Sequence, residues 1–118
     1  MPFTTALRLA GISFLALGLA HILYLILAVE MGTPDPLSYW GCHFFGVAYS
    51  CIGIQFFRGK SQLLLPALIV NSIGLLAILK AHFLTPLWPA DPYFLAADLV
   101  TVPALAVLWR WSKRRQQG

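Results

Sequence analysis

The chain has 118 residues, of which 59% are hydrophobic and 10% charged, with a mean hydropathy of +0.78 and a formal net charge of +4. Soluble domains carry about 25% charged residues, so a water-soluble fold of this composition would expose large apolar patches. Lipid is the expected solvent, and nucleic acid is not an expected partner because no soluble domain presents the basic residues.

The first predicted helix runs from Thr5 to Val29. Arg8 ahead of an apolar run resembles a secretory signal, but the run far exceeds the ~7–15 apolar residues of such a signal and reads as a retained membrane helix. Gly11, Phe14, Gly18, His21 and Tyr24 recur along it at three- and four-residue spacing, which places them on one helix face. The second helix is predicted from Pro36 to Phe57, with a stripe of Tyr39, His43, Gly46, Ser50 and Gly53. Its cysteines, Cys42 and Cys51, are separated by about 13 Å along the axis and point to different faces, so they cannot pair. They read as small buried packing residues.

Arg58-Gly59-Lys60-Ser61 is a tight turn that makes the second and third helices antiparallel. The third helix is predicted from Gln62 to Leu84, with a stripe of Ala67, Asn71, Gly74, Ile78 and His82. The fourth runs from Pro92 to Trp111, where Phe94, Asp98, Thr101 and Leu105 share a face. Residues 112–118 form a basic tail expected to lie on anionic lipid. Two loops read Thr33-Pro-Asp-Pro36 and Thr85-Pro-Leu-Trp-Pro-Ala-Asp-Pro92. An Asp N-cap followed by a Pro at the first helical position starts a helix, and the shared pattern is also consistent with two repeated helical hairpins.

Each segment has the ~20 residues that cross a hydrocarbon core. The expected fold is therefore all-α, a four-helix transmembrane bundle forming one integral membrane domain over residues 1–118. Arg8, Arg58, Lys60, Arg110, Lys113, Arg114 and Arg115 fall on one side and Lys80 on the other, which places both termini in the cytoplasm by the positive-inside rule.

At ~1.5 Å per residue, His21, His43 and Asp98 lie at similar depth in the outer third of the bundle. Asn71 lies deeper and His82 near the mouth, with Tyr24 and Tyr39 on the same stripes. Small residues at Gly11, Gly18, Gly46, Ser50, Gly53 and Gly74 allow close helix approach. Ionisable residues within a membrane span mark functional sites by default, and two His with one carboxylate suit a metal by ligand type. The same residues also fit a hydrogen-bonded knot that only holds the helices together. No spacing specifies a cofactor.

The stretches "RLAGISFLALGLAHILY" (Arg8 to Tyr24) and "FFGVAYSCIGIQFFRG" (Phe44 to Gly59), with Asn71 and Asp98, resemble the small four-helix bacterial membrane proteins of the DoxX-like and related unknown-function type. The resemblance implies a four-helix bundle in a bacterial inner membrane and no particular chemistry. The favoured expectation is a non-enzymatic accessory subunit or hydrophobic-ligand binder, within a larger membrane complex or a homo-oligomer. Two alternatives stay open. One is a haem- or metal-binding redox subunit using His21 and His43. The other is a membrane enzyme acting on a lipid by proton transfer through Asp98 and a histidine.

Overall fold

A computed structural model describes residues 2–30, 36–84 and 91–117, with only the backbone for 28–30, 36–39, 81–82, 84 and 91–92. Four α-helices and no strand occur among them: α1 (Phe3–Glu30), α2 (Pro36–Phe57), α3 (Leu64–Leu84) and α4 (Asp91–Gln117). Residues 31–35 and 85–90 of the Thr-Pro loops, including the expected cap Asp35, lie outside the described residues, whereas Asp91, the second expected cap, is the first residue of α4. The helix ends need correction: α3 begins at Leu64, two residues later than expected. α1 begins two residues earlier than expected, and α4 continues to Gln117, so the basic segment after Trp111 is helical rather than a tail. Lys, Arg and Gln are good helix formers, and no Gly or Pro interrupts Trp111 to Gln117.

The chain divides into two compact units. The first, Leu7–Lys60, is an antiparallel pair made of most of α1 and all of α2. The second comprises Ser61–Gly118 with Met1–Ala6, and its framework is α3 and α4.

Four glycines set the first unit. A methyl group built on Gly11 would lie 2.6 Å from the Phe57 amide nitrogen and 2.7 Å from the Gly53 carbonyl oxygen. One built on Gly53 would lie 2.7 Å from the Gly11 carbonyl oxygen and 2.6 Å from the Leu15 nitrogen. Gly18 and Gly46 repeat this arrangement seven residues on, with a Gly18 methyl 2.8 Å from the Gly46 oxygen. At Gly11 and Gly53 the two backbones therefore touch directly, while at Gly18 and Gly46 the side chains of Ser50 and Ile22 also close on the contact. Glycine inside a helix costs about 0.5–1 kcal/mol relative to alanine. Close backbone approach offsets that cost through dispersion and Cα–H···O contacts.

α2 ends in a Schellman motif. The Lys60 N–H donates to Gln55 O at 3.0 Å and the Gly59 N–H to Phe56 O at 2.9 Å, with Gly59 at φ 82°. These bonds satisfy carbonyls that the helix end would otherwise orphan. An L side chain at that φ costs roughly 1–2 kcal/mol. Gly59→Ala is therefore expected to lower stability by about 1 kcal/mol, and a denaturation midpoint unchanged from wild type in the same detergent would contradict this.

The second unit buries Leu64, Ala67, Asn71 and Gly74 on α3 and Asp98, Leu105, Leu108 and Ser112 on α4. These positions follow three- and four-residue spacing, so each helix contributes one face. Pro66 sits in the first turn of α3, where its missing N–H would have no helical partner in any case. Pro103 lies inside α4 and provides no N–H to the Leu99 carbonyl four residues back, a standard cause of helix bending. Phe3 packs edge-on against Trp111 at 5.4 Å, and the Arg115 guanidinium lies 4.5 Å over the Phe3 ring. These contacts tie the end of α4 to the start of the chain.

The outward residues are unusual for a protein in water. Leu19, Leu23, Trp40, Phe44, Ile73, Leu76, Leu99 and Val100 are all more than half exposed. Two helical stretches, Phe3–Leu27 and Tyr93–Gln117, are long and apolar enough to cross a membrane, and Leu64–Lys80 is a shorter apolar helix.

Candidate functional site

His21 is buried in the first unit. Its Nδ1–H donates to the Leu17 carbonyl of its own helix at 2.8 Å; a carbonyl only accepts, so Nδ1 carries the hydrogen. Its ring meets Tyr49 edge-on at 5.4 Å and lies tilted 6.1 Å from Phe45. Tyr49 in turn packs edge-on against Phe14 at 5.2 Å, and Phe14 against Phe56 at 5.9 Å. The result is a ladder of rings, His21–Tyr49–Phe14–Phe56, running beside the glycine contact.

A sequence pattern explains the ladder. α1 contains Gly11-Ile-Ser-Phe14 and, seven residues later, Gly18-Leu-Ala-His21. α2 contains Gly46-Val-Ala-Tyr49 and, seven residues later, Gly53-Ile-Gln-Phe56. In each unit of four, glycine brings the backbones together and the ring three residues on fills the adjoining space. His21 occupies the ring position of one of these four units. Tyr49 and Phe56 are buried packing rings outside the expected stripe, and the fourfold Gly-x-x-ring pattern is the signal that points to them.

The α2 stripe needs correction at His43. It is exposed rather than inward, with its ring 6.1 Å from that of Trp40 and edge-on to it. It lines an open groove of about 580 Å³ with Trp40, Phe44, Val47 and Ala48, all on α2. His21 and His43 thus stand on different faces of the first unit. Cys51 is also exposed rather than buried, Cys42 is half-buried, and neither forms a disulfide. Ser50 donates to the Gly46 carbonyl at 2.7 Å and is half-buried. Tyr24 is half-buried on α1, whereas the side chains of Tyr39 and His82 lie outside the described residues.

In the second unit, Asn71 and Asp98 are brought together. The Asn71 amide Nδ2 donates to Asp98 Oδ1 at 3.1 Å, and both side chains are buried, at 0% and 4% exposure. Thr101 Oγ1 donates to the Asp98 backbone carbonyl at 3.4 Å. Gly74 is buried one turn from Asn71. The stripes read for α3 and α4 therefore coincide with their buried faces at Ala67, Asn71, Gly74, Asp98 and Leu105.

Chemically, the first unit offers a ring ladder with one imidazole in it, and the second a carboxyl–amide clamp between two helices. Among the described residues, no group of three His, Cys, Asp or Glu side chains is placed to hold a metal ion. No protein-family model, curated protein or solved structure matches the chain.

Proposed function

We propose that the chain is a small, non-enzymatic integral membrane protein of the DoxX-like kind, crossing a bacterial inner membrane four times with both termini in the cytoplasm. It acts as an accessory subunit of a membrane complex or as a binder of a hydrophobic ligand. One observation carries this reading: His21, Asn71 and Asp98 each bond within their own unit, while the outward residues of the helices are predominantly large and apolar. The Asn71–Asp98 bond across α3 and α4 and the His21 bond to its own helix both fit a packing role. The serine hydroxyls support a lipid setting. Ser13, Ser50 and Ser72 each donate to the carbonyl four residues back, at 3.0, 2.7 and 2.7 Å, as hydroxyls do where water is scarce. α2 and α3, at 22 and 21 residues, are about 32 Å long and match a ~30 Å core.

The test uses the full chain and its His21→Phe variant, each purified from carbonate-washed membranes in mild detergent. Phenylalanine fits the ring position, and the Leu17 carbonyl keeps its helical N–H partner. The variant is expected to stay in the washed membrane and to melt within about 1 kcal/mol of wild type. It should also co-isolate the same partner or hydrophobic molecule. A stoichiometric metal or visible absorption band in the wild type, absent from the variant, would overturn the reading in favour of a redox subunit. Release of the wild type by carbonate would overturn the membrane assignment itself.

A further inference from the structure

The end of α4 presents a charged face that neither the packing nor the proposed role uses. Arg110, Lys113, Arg114 and Gln117 follow i, i+3, i+4, i+7 spacing and are all exposed, so they line one side of the helix. The opposite side is engaged in packing: Leu108 and Ser112 are buried, Trp111 meets Phe3, and Arg115 is drawn over the Phe3 ring. The three cations on the outer side are thus held on a rigid helix and not on a loose tail.

α4 supplies no acidic residue beside them. The chain has four acidic residues, Glu30, Asp35, Asp91 and Asp98, and none follows Asp98 in α4. Asp98 precedes Arg110 by twelve residues, about 18 Å along the axis. Asp91 starts the helix at its other end. Trp109, one residue before the face begins, is an amphipathic ring suited to the headgroup level.

We propose that Arg110, Lys113 and Arg114 form a docking face for the phosphate headgroups of anionic phospholipids in the leaflet where α4 ends. Arginine matches phosphate oxygens with paired N–H donors, and lysine adds a point charge. The proposal rests on the membrane reading above, and its test separates the two. Carbonate washing reports on membrane integration alone. Lipid retention on the intact chain reports on the face.

The full chain in detergent is offered equal amounts of phosphatidylglycerol and phosphatidylcholine, and bound lipid is counted by native mass spectrometry. Wild type is expected to favour phosphatidylglycerol by at least about fivefold, the effect of one Lys or Arg at an anionic surface. The variant Arg110→Gln/Lys113→Gln/Arg114→Gln should lose that preference. Arg110→Lys/Arg114→Lys should keep it, and so should Arg58→Gln/Lys60→Gln. Equimolar inorganic phosphate should leave the wild-type pattern unchanged. The proposal is overturned if wild type shows no preference, which would reassign the face to an acidic protein surface. It is also overturned if the triple variant keeps the preference, if the Arg58/Lys60 variant loses it, or if inorganic phosphate abolishes it.

Discussion

Replacing Gly53 by alanine is expected to lower the stability of the chain by about 2 kcal/mol, even though alanine is the better helix former. The new methyl would sit 2.6–2.7 Å from the Leu15 nitrogen and the Gly11 oxygen, and 3.1 Å from Leu15 Cα. All three are backbone atoms, so no side chain can rotate out of the way and the helices must separate. Overpacking of this kind costs ~1–3 kcal/mol, and separation also loosens the ring ladder. Gly11→Ala meets the reciprocal contacts and should behave alike. Gly46→Ala should be milder, because its nearest neighbour is a side-chain carbon of Ile22 at 2.9 Å and the Gly18 oxygen is 3.3 Å away. Gly41→Ala meets nothing within 4 Å and should gain the helix-propensity increment of about 0.5–1 kcal/mol. At roughly 4 °C per kcal/mol for a chain of this size, the series spans on the order of 10 °C in melting temperature. Equal melting of Gly53→Ala and Gly41→Ala in one detergent would refute the backbone contact. Leucine at Gly18 or Gly46 should prevent the pairing altogether.

This series also shows where sequence reasoning reached and where it stopped. The helices and the turn at Gly59 were legible from apolar length and local chemistry. The buried faces of α3 and α4 were legible because Asn71 and Asp98 are rare polar groups in apolar helices and pull inward. α2 offers no such contrast. It is apolar on every side, so hydrophobic periodicity carries little information about its facing. The expected stripe held Gly46 and Gly53, which are buried, but extended it to His43, which is exposed, and left out Tyr49 and Phe56. Those two rings are indicated by their position three residues after Gly46 and Gly53. The helical end of α4 was missed for a different reason: a run of charges resembles a solvated tail until Phe3, far away in sequence, is seen packed against Trp111.

The Asn71–Asp98 pair distinguishes a clamp from a chemical group. As a clamp, Asp98 contributes an acceptor oxygen to a buried amide, and Asp98→Ala is expected to cost about 2 kcal/mol. That figure combines the lost bond with an amide donor deprived of its acceptor in a dry site. Asp98→Asn keeps an acceptor oxygen at nearly the same place and should cost less than ~1 kcal/mol. Replacing both partners, as in Asn71→Leu/Asp98→Leu, removes the polar groups together and should fall close to wild type, since buried polar pairs often exchange for apolar ones without loss. A double-mutant cycle on Asn71→Ala and Asp98→Ala should show coupling on the order of 1 kcal/mol, within the range for residues in contact. The order Ala worst, Asn mild, double Leu near neutral is specific to a clamp. If Asp98→Asn instead left the melting temperature intact while abolishing partner or ligand retention, the carboxyl group itself would be what the protein uses. The non-enzymatic reading would then give way to proton transfer at Asp98.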